Sequence, residues 1–114
     1  MEMVYIDDVV RTWIKLLHET SSTGVYCEVQ PVLCCTLADL AKRIYAIHQM
    51  RLNLHVPDLS DQLNLALHAT YTSFLPETDL ARSVQLRIDE RGWLFELTKS
   101  PAFGQVFEIG RAHV

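Results

Sequence analysis

The residues that could do chemistry are few, and their spacing limits what they can do. Three cysteines occur, Cys27, Cys34 and Cys35. A metal site needs side chains that converge, as in a C-x-x-C or H-x-x-x-H pair. Neither pair exists here, and the adjacent Cys34 and Cys35 project differently, so neither His18 nor His48 completes a site with them. The odd count argues against a disulfide framework and for a reducing cytoplasm. Asp7-Asp8 offers paired carboxylates, but general acid/base work needs both aimed at one point. At a helix start, adjacent aspartates serve better as a cap and as charges on the helix dipole. His55 and His68 stand alone and read as solvated or packed. Ser21-Ser22 lies in a polar loop without a nucleophile elbow. The four glycines, Gly24, Gly92, Gly104 and Gly110, cannot form a phosphate-cradling G-x-G-x-x-G. None of Tyr5, Tyr26, Tyr45 and Tyr71 has a lysine four residues on, so a Tyr-x-x-x-Lys proton-transfer pair is missing. Taken alone, the chain carries no catalytic, cofactor-binding or metal-ligating constellation.

The elements that would position such residues can be read from periodicity. Residues 3–6 read as a short buried strand, and Asp7-Asp8 as the cap of a helix from 8 to about 19. Val9, Val10, Trp13, Ile14, Leu16 and Leu17 recur there at helical spacing. Ser21-Ser22-Thr23-Gly24 ends it. Residues 25–33 are β-rich but broken by Pro31, as at an edge strand. Thr36 and Asp39 make a capping-box-like start to a second helix, whose stripe of Leu37, Leu40, Ala41, Ile44 and Ile47 ends near Met50. Ser60 and Asp61 can cap a third helix, with Leu63, Leu67, Tyr71 and Phe74 on one face and Pro76 closing it. The period then changes from helical to two: Val84, Leu86 and Ile88 share a face, as do Trp93, Phe95 and Leu97. Asp89-Glu90-Arg91-Gly92 is the turn between them. Lys99 to Gly104 forms a second turn, and Gln105 opens a third strand. That strand abandons alternation at Gly110-Arg111 and is left with nothing to pair with.

Composition bounds the function. The chain has 114 residues and a net charge of −4, enough for one small domain burying roughly two-thirds of its unfolded surface. The acidic balance argues against nucleic acid as a partner. No apolar run approaches the roughly 18 residues that span a bilayer, and the first residues lack the basic-then-apolar pattern of a secretory signal.

The segments VYIDDVV, CCTLADLAKRIYAIHQMR, HVPDLSDQLNLALHATYTSFLPETDL and LRIDERGWLFELTKSPAFGQVF follow one another in this chain. In that order they resemble the junction region of the bifunctional capsular polysaccharide biosynthesis reductase–epimerase family. The most specific parts are Tyr71-Thr72-Ser73-Phe74-Leu75-Pro76-Glu77 and Asp89-Glu90-Arg91-Gly92. The resemblance covers residues 2 to 107 and implies an α/β fold. It makes residues 1–80 the C-terminal, substrate-binding part of a Rossmann-like extended short-chain dehydrogenase/reductase domain. Residues 81–108 would be the first antiparallel strands of a truncated cupin β-barrel.

The resemblance also implies a function. In the family, the cupin epimerises a UDP-linked keto-amino-sugar with a divalent metal such as zinc. The reductase then delivers hydride from NADPH, toward UDP-N-acetyl-L-fucosamine for capsule or O-antigen. The complete enzyme is expected to be a cytoplasmic homodimer, without nucleic-acid partner or membrane insertion. The nucleotide loop and the metal-binding histidines fall outside this chain, which is expected to be inactive alone. Tyr5 occupies the slot where related epimerases often place a histidine, and Asp7 matches their helix-starting aspartate. Gln62 and Asn64 are expected on a helix facing the sugar, and Arg51, after a helix end, beside the diphosphate. Residues 109–114, Ile-Gly-Arg-Ala-His-Val, match what a common sequencing adapter spells in one frame, and are expected to be a non-native tail. Two other readings use the same residues: a self-contained binding module recruiting a partner strand by its β-edge, and a small enzyme with Cys34 or Cys35 as nucleophile. The latter lacks the neighbouring basic residues that lower a thiol pKa.

Overall fold

The computed structural model describes residues 1–19, 24 and 26–111. The expected helix end at Ser21-Ser22-Thr23, the first residue of the expected 25–33 strand, and the tail residues Ala112, His113 and Val114 lie outside the described residues. The protein is α/β with two small antiparallel sheets, and it divides into two compact units, Met1–Leu40 and Ala41–Val114.

In the first unit, β1 (Glu2–Met3) pairs antiparallel with β2 (Leu33–Cys34), Glu2 opposite Cys34 and Met3 opposite Leu33. The pairing is extended by Cys35 N–H donating to the Met1 carbonyl at 3.1 Å, while the Met1 ammonium donates to the Cys35 carbonyl at 3.0 Å. The expected strand at 3–6 is thus shorter, because α1 (Ile6–His18) starts two residues earlier than the aspartates suggest. Tyr5 is its N-cap, and no side chain caps it. Asp7 and Asp8 sit inside the first turn, where their charge favours the helix dipole and Asp8 accepts from Arg11 at 2.6 Å. Likewise, among its described residues the β-rich stretch forms a strand only at Leu33–Cys34, preceded by a cis Gln30–Pro31 bond; a proline there withholds the donor a ladder needs.

The helix α2 (Leu37–Asn53) begins as Thr36 Oγ1 accepts the Asp39 N–H at 3.1 Å. It runs three residues past the expected end and stops at Leu54, which takes a left-handed φ of 61°.

In the second unit, α3 (Gln62–Ser73) follows a loop and buries Leu63, while α2 buries Ile47; these are the buried apolar residues of the described chain. Pro76 ends the α3 segment as expected, and a single turn, α4 (Glu77–Leu80), follows. The sheet has the order β3-β4-β5, with β3 (Arg87–Asp89), β4 (Gly92–Ser100) and β5 (Gly104–Arg111) all antiparallel. Val84 and Leu86 fall outside β3, although their alternation marked them as strand. Pairing of β3 with β4 stops at Arg87 opposite Leu94, while β4 runs on against β5 with a bulge between Glu96 and Thr98. The third strand does not lose its partner. Ile109, Gly110 and Arg111 pair with Leu94, Trp93 and Gly92. Gly110 breaks the side-chain alternation because the Trp93 indole occupies the space a Cβ would need.

Candidate functional site

The polar residues of the second unit gather at the start of α3 and at the end of α2. Asp61 caps α3, its Oδ1 accepting the N–H groups of Leu63 at 2.9 Å and Asn64 at 3.1 Å. Arg43, on α2, donates to Asp61 Oδ2 at 3.1 Å and to Asn64 Oδ1 at 2.7 Å. The Asn64 amide then donates to the Asp58 carbonyl at 3.0 Å. Asn64, expected to face a sugar, therefore has one end of its side chain on Arg43 of α2 and the other on the loop that leads into α3. Gln62, the first residue of α3, is exposed. The Asn64 N–H holds the Asp61 carboxyl below the usual aspartate range, with Arg43 and the Leu63 N–H adding to the effect against partial desolvation. Asp58 is lowered by the Ser60 hydroxyl and N–H.

Arg51 lies in the last turn of α2 rather than after the helix end. It is half-buried and lines two clefts. One, about 180 Å³, also holds His68, Tyr71 and Arg82. Arg82 donates to the Met50 carbonyl at 3.2 Å, a helix-end acceptor that also takes the Leu54 N–H at 3.0 Å. Nearby, His48 Nδ1 and the Tyr71 hydroxyl are 2.8 Å apart on the exposed surface. The second cleft, about 460 Å³, brings Arg51 together with Arg87 and Glu96 beside Phe95 and Phe107.

Tyr5 belongs to the first unit. It is half-buried, and its carbonyl accepts the N–H groups of Asp8 at 3.0 Å and Val9 at 3.2 Å. Of the four residues singled out from the sequence, then, Arg51 lines a cleft, Asn64 is built into a helix start, Gln62 is exposed, and Tyr5 caps a helix in the other unit. Arg43, Arg87 and Glu96 were missed. Arg43 meets Asp61 across eighteen positions of sequence, and no local pattern announces such a pairing. Glu96 carries a signal only as a charged residue in an apolar strand. Among the described residues, no group of three His, Cys, Asp or Glu side chains could hold a metal ion. Nor do they include a glycine-rich dinucleotide loop. Among the described residues, then, no set of side chains fits zinc and no loop fits the pyrophosphate of NADPH.

No family model matches the chain. Over 111 residues it is 36% identical to a UDP-2-acetamido-2,6-beta-L-arabino-hexul-4-ose reductase of Pseudomonas aeruginosa, a match covering 97% of this chain and 30% of that protein. Its fold matches the capsular polysaccharide assembling protein CapF from Staphylococcus aureus with a TM-score of 0.83 and 30% identity, over 94% of this chain and 32% of that one. A second CapF structure, determined with the inhibitor 3-isopropenyl-tropolone, gives a TM-score of 0.81 at 30% identity, over 94% of this chain and 31% of that one. Sequence and fold comparisons thus point the same way, to this reductase and to CapF, in line with the resemblance of the segments quoted above. The chain is a relative of these proteins and spans about a third of their length.

Proposed function

We propose that this chain is a segment of a nucleotide-sugar reductase. Residues 1–80 are its substrate-side part, from a Rossmann-like extended short-chain dehydrogenase/reductase domain, and residues 81–108 open its cupin. The observation that supports this most is the 36% identity extending over 97% of the chain. In the proposed enzyme a UDP-linked keto-amino-sugar is reduced by NADPH and epimerised by the cupin with a divalent metal, zinc, on the path to UDP-N-acetyl-L-fucosamine for capsule or O-antigen. Polypeptide outside this segment would hold both cofactors. The enzyme would work as a cytoplasmic homodimer, and the segment alone would be inactive. Among the described residues, no helix is long and apolar enough to cross a membrane.

The chain's own contribution is binding. Arg51 presents a guanidinium to the substrate's diphosphate, where a charge-assisted bond is strong; Gln62 contacts the remainder, and Asn64 sets the helix that carries Gln62. The test is made on the gene product that contains this segment, following NADPH oxidation with the UDP-keto-sugar. Substrate-dependent oxidation is expected, with the dissociation constant raised about tenfold or more by Arg51→Ala. Absence of oxidation sinks the reductase reading, and an unchanged constant removes Arg51 from the site.

A further inference from the structure

We infer that the cleft lined by Arg51, Arg87 and Glu96 is a sugar-phosphate subsite, in which the two arginines take the phosphate and Glu96 accepts from sugar hydroxyls. The inference rests on the nucleotide-sugar reading above, since a UDP-sugar supplies both groups. Arg51 comes from the last turn of α2 and Arg87 from the first residue of β3, so two separate elements aim like charges at one cleft of about 460 Å³. No hydrogen bond or ion pair of either side chain occurs among the described residues. Two unpaired guanidiniums beside a shared cavity form a fork suited to a phosphate group. Glu96 is the complementary part. Its Oε2 is 3.9 Å from Lys99 Nζ, too far for a hydrogen bond, and its Oε1 is shielded from water with no partner. A carboxylate left so under-satisfied is costly, and a small turn of the side chain toward a ligand's O–H groups would relieve it. Gln85 and Gln105 add carboxamides to the same cleft, and Phe95 and Phe107 give it apolar faces on which a sugar ring can lie. An anion flanked by hydroxyl donors is the one small-molecule class that answers every part of this lining.

The test is calorimetric titration of the gene product that contains this segment with UDP-N-acetylglucosamine, glucose phosphate and inorganic pyrophosphate, on wild type, Arg87→Gln and Glu96→Gln. Arg87→Gln is expected to weaken all three about tenfold, and Glu96→Gln to weaken only the two sugar ligands by a similar factor. Wild-type titrations by both variants, or no binding by any probe, would overturn the subsite. So would tighter sugar-phosphate binding by Glu96→Gln, which would make the carboxylate a competitor for the arginines. The two readings fail separately. Glucose phosphate bound with this dependence, while the UDP-sugar is not bound, removes the nucleotide-sugar reading and leaves the subsite. A UDP-sugar bound with no dependence on Arg87 or Glu96 does the reverse.

Discussion

Asp61 decides where α3 begins. Its carboxylate takes two backbone N–H groups that no helical carbonyl can reach, and Arg43 neutralises it from the neighbouring helix. Removing such a cap costs about 1 kcal/mol. In Asp61→Ala, hydrogen-exchange protection of the Leu63 and Asn64 amides should therefore fall about fivefold; unchanged protection would mean that Arg43 and Asn64 hold the helix start unaided. The pH dependence follows from the direction of the shift. The folded pKa lies below the unfolded value of about 3.9, so the contribution is complete above that pH and fades as pH falls through the lower folded value. Protection of α3 should hold down to about pH 4 and then decline, a slope that Asp61→Ala should lack. The cap was legible, because Ser60-Asp61 before an apolar stripe is a local signal. The Arg43 contact was not, because it depends on how two helices pack. Asp89, which Arg91 holds below the ordinary aspartate range by its side chain and then by its N–H, was legible as a turn for the same local reason.

At the scale of elements, β4 and β5 are joined by a pairing that depends on glycine. Gly92 adopts a φ of 145°, and a Cβ there would meet the Gly110 carbonyl; a Cβ on Gly110 would fall inside the Trp93 ring. Trp93 in turn stacks on Phe95 with ring centroids 5.6 Å apart. Gly110→Val should displace the indole, shifting Trp93 fluorescence and loosening the end of β5. Gly104→Ala meets no atom within 4 Å and should cost only the strain of its φ of 83°, about 1 kcal/mol. Trp93 emission unchanged by Gly110→Val would show that the ring does not lie over that backbone. Sequence reading found the period of two and the Asp-Glu-Arg-Gly turn, since both are short-range. It failed at Gly110, where loss of alternation looked like the end of a strand. A glycine under a cross-strand tryptophan cannot be told from a breaker until the register is known. The same holds for Val84 and Leu86, whose strand-like spacing finds no partner because β3 pairs with β4 only from Arg87 onward.

For the molecule as a whole, burial is the notable quantity. Among the described residues only Ile47 and Leu63 are buried apolar side chains, while Trp13, Leu17, Phe74, Ile88 and Ile109 are all more than half exposed. Ile6, Val10, Trp13, Ile14 and Leu17 run along α1 as an exposed stripe. So little buried area does not offset the entropy of ordering a chain of this length. The isolated chain should bind an apolar dye and unfold over a broad thermal range; one sharp transition with equal calorimetric and van't Hoff enthalpies would instead favour the self-contained module. This much was foreseeable, since strands expected at 3–6, 25–33 and 84–107 lacked the sheets to bury them. One connection works against such looseness. After Leu54 turns into its left-handed conformation, its carbonyl accepts the Lys99 N–H at 3.0 Å and the Lys99 carbonyl accepts the Val56 N–H at 2.8 Å. Arg51 stands three residues before Leu54 and Glu96 three before Lys99. The end of the helix and the end of the strand are therefore bolted together by backbone hydrogen bonds, so that the spacing between the arginine and the glutamate is set by the main chain, not left to two independent side chains.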